Sequence, residues 1–329
     1  MFGKPFLLRA ATLLLCLPYV IGSAVVAQTI SGRHTPAHIS KRMFAPYVDV
    51  AQLPNNLLQI RRDSGTRLFT LAFVNADHGC TPSWPGAQLV ANDTLISGYV
   101  MKLRAAGGDV IIGFGGYEGT ELAQVCTDVA SLQAAYQKVV DKYKAKILDF
   151  DVEHLALDDQ SSIDRRNLAI TNLVKANPGL QINFTLSATP GGLTAQGVGV
   201  LKSAVAQGTA VHVVNVMTMN YGQAAASKNM GVNAISAIEG AQSQLKDLGM
   251  KANLGITPMI GMNDAPGETF TAADAAAVLS YAQRNQNIAL LAFWSVARDN
   301  GSCSGKVAPT CSGIAQKSWQ FSHLFASFH

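Results

Sequence analysis

Three carboxylic acids alternate with apolar residues in segment 147–153, which reads ILDFDVE. Successive side chains of a β-strand point to opposite faces, so Asp149, Asp151 and Glu153 share one face if this segment is a strand. Neighbouring carboxyls on a buried face lose hydration and repel one another, which raises their pKa values. We therefore expect Glu153 to act as a general acid, and Asp149 and Asp151 to titrate as a coupled pair.

A metal site and a solvated acidic face are the competing interpretations of this segment. Hard cations accept several carboxylate ligands, but acids along one strand form a line, and no other predicted strand end supplies a second acidic cluster. Phe150 and the helical segments around the strand favour burial over a wet face. The pattern therefore predicts proton-transfer chemistry without a metal or a cofactor.

The acidic segment is one of eight short runs that are rich in β-branched and aromatic residues. Ala- and Leu-rich helical stretches alternate with these runs, which begin roughly 25 to 40 residues apart, the size of a βα unit. The predicted strands are 43–50, 68–75, 109–115, 146–153, 181–187, 211–219, 252–259 and 289–295.

Eight βα units predict a (β/α)8 barrel, an α/β fold, and a doubly wound open sheet is the alternative. In a barrel the acidic face points inward, and Glu153 lies at the C-terminal mouth, where barrel active sites are found. Thr271 is a predicted N-cap, with Asp274 three residues later. The predicted helices include 131–143, 163–175, 234–248 and 272–284.

Composition limits the classes of function. The chain has 329 residues, of which 48% are hydrophobic and 14% charged, so it can bury a large core and is not disordered. The formal net charge is +4 and no run of Lys and Arg is present, so nucleic acid is not a predicted partner. Nothing in the sequence signals oligomerisation, and we expect a monomer.

The N-terminal residues read as an export signal. A basic start, a short apolar run broken at Pro18, and small residues ending at Ala27 predict a signal peptide at 1–27. A membrane anchor is the alternative, but the apolar run is short for one. We expect a leader at 28–42, and a secreted mature protein, extracellular or periplasmic, that is not held in a membrane.

Four cysteines remain after the predicted cleavage, and an even number in an exported chain suggests two disulfides. Cys303 and Cys311 flank a short loop and are predicted to pair, which leaves Cys80 with Cys126. No CxxC motif supports a metal site, and free buried thiols remain the alternative.

The acidic strand resembles the DxDxE signature of family 18 of the glycoside hydrolases, the chitinases. The likeness extends over nearly the whole predicted mature chain, most closely to compact bacterial catalytic domains. It implies one barrel at 43–329 with no insertion domain and no carbohydrate-binding module. The segments that resemble family motifs are DFDVE at 149–153, GFGG at 113–116, MTMNY at 217–221 and FWS at 293–295.

The resemblance implies a role for each catalytic residue. Glu153 would protonate the glycosidic oxygen, and Asp151 would hold the N-acetyl group of the substrate so that its carbonyl oxygen attacks the anomeric carbon. Asp149 would hydrogen-bond Asp151 and accept its proton during the cycle. Tyr221 would bind the acetamido oxygen.

The same resemblance implies the residues that contact the sugar. Trp294 would floor the subsite in which the sugar is distorted, and Tyr47 would add a wall. Asn220 stands where an Asp is commoner, which predicts a shifted pH profile or a reduced rate. The full set of implied binding residues is Trp294, Tyr47, Met217, Met219, Asn220, Gly115 and Gly116.

The resemblance implies a secreted chitinase that cleaves β-1,4 linkages between N-acetylglucosamine units, with retention and in the interior of chains. Its partner would be chitin or a chito-oligosaccharide. Two alternatives remain open on the same fold. One is a weakly active or non-catalytic carbohydrate-binding protein, and the other is an endo-β-N-acetylglucosaminidase that acts on N-glycans.

Overall fold

The structure is a computed structural model that describes residues 1–3, 42–53, 56–86, 88–225 and 229–329. The chain divides into two units, Met1–Thr35 and Pro36–His329, and all described helices and strands belong to the second. The predicted signal peptide and leader lie outside the described residues, except for residues 1–3 and 42.

Strands and helices alternate along the second unit. The strands are β1 (Met43–Phe44), β2 (Tyr47–Asp49), β3 (Leu68–Asp77), β4 (Thr81–Trp84), β5 (Gln88–Leu89), β6 (Asp109–Gly115), β7 (Ile147–Val152), β8 (Gln181–Thr189), β9 (Gly192–Leu193), β10 (Val213–Met217), β11 (Asn253–Thr257), β12 (Gly261–Met262), β13 (Thr269–Phe270) and β14 (Ile288–Leu291). The helices are α1 (Leu57–Ser64), α2 (Leu95–Ala105), α3 (Leu122–Val125), α4 (Val129–Tyr143), α5 (Gln160–Ala176), α6 (Ala195–Ala206), α7 (Met230–Asp247), α8 (Ala272–Arg284) and α9 (Gln320–Phe325).

Parallel strands close into a (β/α)8 barrel, as predicted. The hydrogen-bonded order runs β1-β14-β11-β10-β8-β7-β6-β3, and β2 pairs with β3. β1 and β2 together form the first barrel strand, which therefore joins β14 on one side and β3 on the other. The break between them falls at Pro46, which has no N–H to donate to a neighbouring strand.

Several predicted strands are shorter in the structure, among them 252–259, which forms a strand only over Asn253–Thr257. The run predicted at 211–219 forms a strand only over Val213–Met217, and the run predicted at 289–295 only over Ile288–Leu291. Beyond the last strand, a single parallel bridge joins Trp294 to Met259. Apolar residues continue into the barrel mouth after the regular hydrogen-bond ladder has ended, so composition overstates the strand length.

The interior of the barrel is apolar below the acids. Ile147 precedes Asp149 by two residues and lies on the same face of β7. The larger core, which includes Phe150, lies outside the barrel, between strands and helices. The acids therefore lie on the mouth side of an apolar layer, which separates them from solvent at the opposite end of the barrel. This layer consists of Met43, Ala45, Ile111, Ile147, Val213, Ala289 and Leu290.

Helix α8 begins with a reciprocal cap. Asp274 N donates to Thr271 Oγ1 at 3.3 Å, and Thr271 N donates to Asp274 Oδ2 at 2.7 Å. Two otherwise unpaired backbone donors of the first turn are thereby satisfied. The structure confirms the predicted N-cap at Thr271.

Both predicted disulfides are present, Cys80–Cys126 and Cys303–Cys311. The first ties the turn between β3 and β4 to the residue that follows α3. The second closes a loop before α9. In the part of the chain that the structure describes, no helix combines the length and apolar character needed to cross a membrane.

Candidate active site

The three acids of strand β7 run from the barrel interior to its C-terminal mouth. Asp149 and Asp151 are only 1% and 4% exposed. Glu153 follows the last strand residue, is half-buried, and has an extended backbone (φ −134°, ψ 171°) that continues the alternation. The acids therefore share one face, as the sequence predicts.

A hydrogen-bond network across the barrel holds Asp149. Its Oδ2 accepts a hydrogen bond from Tyr47 Oη and its Oδ1 one from Thr185 Oγ1, each at 2.7 Å. Asn215 Nδ2 donates to these two hydroxyl oxygens at 3.1 and 3.0 Å, and its Oδ1 accepts from Thr257 Oγ1 at 2.8 Å. Four other barrel strands thus orient this carboxyl group.

Asp151 is left without such support. Its Oδ1 is buried and makes no hydrogen bond within the described residues, and no hydrogen bond among them joins Asp151 to Asp149. The carboxyl group above the network is therefore available to a ligand at the mouth of the barrel.

All three carboxyl groups hold their protons more tightly than usual. Burial raises the pKa of Asp149 to about 6, against the effect of its two hydroxyl donors. Burial, then the charges of Glu153, Asp149 and Glu121, raise the pKa of Asp151 well above its ordinary value. Burial, followed by the charge of Glu121, raises the pKa of Glu153 to about 7. Glu153 can therefore donate a proton near neutral pH.

The raised pKa of Glu153 predicts a pH-dependent gain in stability for Glu153→Gln. Because the folded-state pKa of about 7 lies above the ordinary 4.5, protonation favours the folded state. This contribution is complete below pH 4.5 and is lost as the pH rises through 7. At pH 8 the variant should unfold at a higher temperature than the wild type, because its free energy of unfolding is larger by up to about 3 kcal/mol. At pH 4 the two proteins should unfold at nearly the same temperature.

Calorimetry of both proteins at the two pH values measures this difference. Glu118→Gln is the matched control, since it makes the same substitution at an exposed position in the loop after β6. An equal change in unfolding temperature for Glu153→Gln at both pH values would contradict the expectation.

Gly115 and Gly116 bring strand β6 close to the acidic strand. Gly116 N donates to the Asp151 carbonyl oxygen at 2.9 Å. Both glycines have a positive φ, and a Cβ at Gly115 would lie 2.1 Å from that same oxygen. A Cβ at Gly116 would lie 2.5 Å from the Phe73 ring. Only glycine lets the backbone at residues 115 and 116 come this close to its neighbours. These two predicted binding residues therefore help to position the backbone of Asp151.

Aromatic rings line the mouth opposite β7. Trp294 stacks on Phe73 with ring centroids 5.9 Å apart, and its ring centroid is 6.2 Å from that of Tyr47. Trp294 N donates to the Pro258 carbonyl oxygen at 2.9 Å, which fixes its backbone beyond the end of β14. Tyr47 thus links the aromatic cluster to Asp149 through its hydroxyl group.

Strand β10 and the segment after it carry three of the predicted binding residues. Met217 is the buried last residue of the strand, Met219 is half-buried, and Asn220 is exposed. The Asn220 side chain donates to Asp264 Oδ2 at 3.2 Å and accepts from Ala265 N at 3.2 Å. Asn220 is thereby engaged with the loop between β12 and β13.

A buried acid, Glu268, lies close enough to Tyr221 for its charge to act on the phenol, and the sequence pattern does not identify this acid. Glu268 is 1% exposed, and its Oε1 accepts a hydrogen bond from Gly222 N at 2.8 Å. Burial and the Glu268 charge raise the pKa of Tyr221, so this phenol stays protonated. Thr218 lies near the Tyr221 hydroxyl, yet neither hydroxyl makes a well-formed hydrogen bond among the described residues.

The structure brings together the predicted Tyr47, Asp149 and Asp151 and adds partners that the sequence reading missed. Thr185 could have been found, since polar residues alternate with apolar ones in β8, as they do in β7. Asn215 stands between two valines in β10, which is a weaker signal of the same kind. Within the described residues, no group of three or more His, Cys, Asp or Glu side chains is arranged to hold a metal ion.

Known proteins with similar sequences are chitinases. No protein-family model matches the chain. The chain is 36% identical over 313 residues to the probable bifunctional chitinase/lysozyme of Escherichia coli (strain K12), which covers 88% of this chain and 34% of that protein. It is 37% identical over 282 residues to endochitinase 11 of Metarhizium anisopliae, which covers 79% of this chain and 53% of that protein. The chain thus spans about a third and about half of these two curated relatives.

Solved structures agree with this likeness. The catalytic domain of the hyperthermophilic chitinase from Pyrococcus furiosus matches with a TM-score of 0.80 at 34% identity, over 88% of this chain and 96% of that one. A GH18 chitinase from Pseudoalteromonas aurantia matches at 17% identity with a TM-score of 0.56, covering 77% of this chain and 94% of that one, which shows the fold alone. With one solved relative matched over nearly its whole length, and with the acids of β7 at the barrel mouth, the chain belongs to family 18 of the glycoside hydrolases.

Proposed function

We propose that this protein is a chitinase that hydrolyses β-1,4 linkages between N-acetylglucosamine units. The observation that carries the proposal is the line of three acids on β7, which ends in a half-buried Glu153 with a pKa of about 7. Such a group can be protonated and still lose its proton at neutral pH, as a glycosidic general acid must. The names of the similar proteins support this choice of substrate.

In the proposed reaction the N-acetyl group of the substrate is the nucleophile. Glu153 donates its proton to the glycosidic oxygen as the bond to the anomeric carbon breaks. The acetamido carbonyl oxygen attacks that carbon and forms an oxazolinium ion, which water then opens with Glu153 as the base. This route retains the anomeric configuration without a covalent bond to the protein.

Asp151 is suited to orient the acetamido group. Its Oδ1 is buried and unpartnered among the described residues, so it can accept the acetamido N–H without breaking an existing hydrogen bond. Its negative charge would stabilise the positive charge that develops on the oxazolinium ion. The protonated phenol of Tyr221 can donate to the acetamido oxygen.

Asp149 is suited to take up a proton when Asp151 becomes charged. With Asp149 ionised, Tyr47 and Thr185 both donate to it, and their hydroxyl oxygens lie 2.8 Å apart. When Asp149 is protonated, its carboxyl group can donate a hydrogen bond to the Tyr47 hydroxyl oxygen, and the Tyr47 hydroxyl can then donate to Thr185 Oγ1. The same three groups therefore satisfy both protonation states without movement of the backbone.

The aromatic cluster is suited to bind the sugar ring. The apolar C–H face of a pyranose packs well on an indole, and Trp294 is half-buried beside Tyr47. Between β11 and β14 the structure contains one short hairpin (β12 and β13) and one helix (α8). Such a short segment supports a shallow, open groove, and we therefore propose that the enzyme cleaves in the interior of chains. We also propose that it acts as a monomer.

Secretion is part of the same proposal. Two disulfides are typical of proteins that fold in an oxidising compartment, outside the cytosol. The signal peptide predicted at 1–27 would provide the export route, and the mature enzyme would then act outside the cell or in the periplasm.

Hydrolysis of chromogenic chitobiosides and chitotriosides, colloidal chitin and an N-glycosylated protein tests the proposal. We expect chromophore release, a mixture of oligosaccharide lengths from chitin at early times, and the β-anomer as the first product in proton NMR spectra. Binding to chitin without turnover would instead indicate a carbohydrate-binding protein. Cleavage of the glycoprotein but not of chitin would select the N-glycan alternative, and early disaccharide alone would contradict interior cleavage.

A further inference from the structure

A buried ion pair lies beside the catalytic strand. Glu121 directly precedes α3, and Arg166 is on α5. Arg166 Nε and Nη2 donate to the same carboxylate oxygen, Glu121 Oε2, at 2.9 and 2.5 Å. The Arg166 side chain is fully buried and that of Glu121 is 10% exposed.

The second oxygen of Glu121 takes no part in the hydrogen bonds with Arg166. Glu121 Oε1 is buried and has no hydrogen-bond partner within the described residues. It lies 3.2 Å from the position that a Cβ on Gly115 would occupy. Gly115 is paired in register with Asp151. The missing side chain at Gly115 therefore lets a carboxylate oxygen approach the end of the acidic strand.

Glu121 carries a negative charge in this arrangement. A guanidinium group does not lose its proton in proteins, so Arg166 is a buried cation that needs a counter-charge. The pKa of Glu121 is raised on balance, because the effect of burial outweighs the charge and the hydrogen bonds of Arg166. The ion-pair geometry is what argues for the charged form. A neutral Glu121 would leave Arg166 unpaired in the interior, which costs several kcal/mol.

Glu153 is surrounded by groups on its own strand and on others. Of the charges on other elements, that of Glu121 acts most strongly on Glu153, whose pKa it raises. The effect has the expected sign, because a nearby negative charge disfavours a second one. On its own strand, the charge of Glu153 acts on Asp151, and His154 follows Glu153 in the chain. Asp151 in turn interacts with Asp149 and Tyr47, and Glu121 is paired with Arg166.

We infer that Glu121 is a positioning residue for the catalytic acid: with one oxygen held by Arg166, it places a fixed negative charge behind strand β7 that keeps the proton on Glu153. The inference rests on the proposed role of Glu153 as the general acid. Arg166 binds Oε2 and the unpaired Oε1 lies on the side of Gly115, so the ion pair acts as an oriented dipole whose negative end is toward the acidic strand.

Carbon-13 NMR of glutamate side-chain carboxyls tests this coupling without any need for turnover. The chain has only five glutamates, Glu118, Glu121, Glu153, Glu239 and Glu268, so Glu153→Gln identifies the signal of Glu153 by its loss. In Glu121→Gln, which keeps an oxygen for Arg166 but loses the charge, we expect the Glu153 midpoint to fall by about one to two pH units. Glu118→Gln removes the same charge from an exposed position on the same loop and should leave the midpoint unchanged.

A second variant covers the case in which Glu121→Gln does not fold. Glu121→Leu combined with Arg166→Met replaces the pair with apolar side chains, a change that buried ion pairs often tolerate. The Glu153 midpoint should move in the same direction by a smaller amount. An unchanged midpoint in the folded variants would overturn the inference.

The pH profile of activity separates this inference from the proposed function. If both hold, the alkaline limb of kcat/KM for a chitotrioside moves to lower pH in Glu121→Gln by about the shift seen in the NMR titration. A purely structural role would lower the unfolding temperature and the rate without moving that limb. If the wild-type protein cleaves no chitin derivative but the Glu153 midpoint still falls in Glu121→Gln, the result would contradict the chitinase proposal and support the charge coupling.

Discussion

Glu153→Gln should lower kcat on a chromogenic chitotrioside by about 10²- to 10⁴-fold, the range for loss of a general acid. Gln keeps the size and polarity of the side chain but has no proton of suitable acidity for the leaving oxygen. KM should change little, because the aromatic cluster and Asp151 remain. Steady-state kinetics at pH 6 with the purified variant measure both parameters.

The matched control for this variant is Glu118→Gln, which removes a carboxylate from an exposed position in the loop after β6. It should keep the wild-type rate. The wild-type profile should itself decline as the pH rises through about 7, where Glu153 loses its proton. Turnover that survives intact in Glu153→Gln would remove this residue from the reaction and leave the fold assignment untouched.

The second large effect is expected for Asp151→Asn, with a fall in kcat of about 10²- to 10³-fold. Asn can still contact the acetamido group, but it supplies no negative charge for the oxazolinium ion. Because ground-state contacts largely persist, the loss should appear in kcat and not in KM. The variant should also relieve repulsion with Glu153, since that neighbour is the largest charge that raises the pKa of Asp151.

Asp158→Asn provides the control for this second substitution. Asp158 is exposed and follows the turn after β7, so the same change in charge is made close to the site but outside it. Kinetics of the two variants on the chitotrioside, with calorimetry at pH 8, give the rate and the stability together. A loss confined to KM for Asp151→Asn would show that the residue binds substrate without assisting the reaction.

The three carboxyls of β7 are best treated as one titrating unit. Asp149 and Glu153 have pKa values of about 6 and 7, and Asp151 lies between them along the strand. Protons leave such a set in macroscopic steps that belong to the set as a whole. Each single substitution is therefore expected to move the titration of the remaining two acids.

Local patterns in the sequence were sufficient for the framework of the site. The alternation of acids in segment 147–153 placed three carboxyls on one face, because strand periodicity depends only on neighbouring residues. The cap at Thr271 was equally local, since it involves only Asp274 three residues later. The count of eight βα units led to the barrel for the same reason.

Only the tertiary structure decided the partners of the acids. Tyr47 meets Asp149 across 102 residues of chain, and Glu121 meets Arg166 across 45. Such pairs form only when the barrel closes and brings distant segments together. The pattern of residues within one segment therefore cannot predict them. The sequence by itself determined which acids share a face of β7; closure of the barrel decided which hydroxyls, charges and rings surround them, and with that their pKa values.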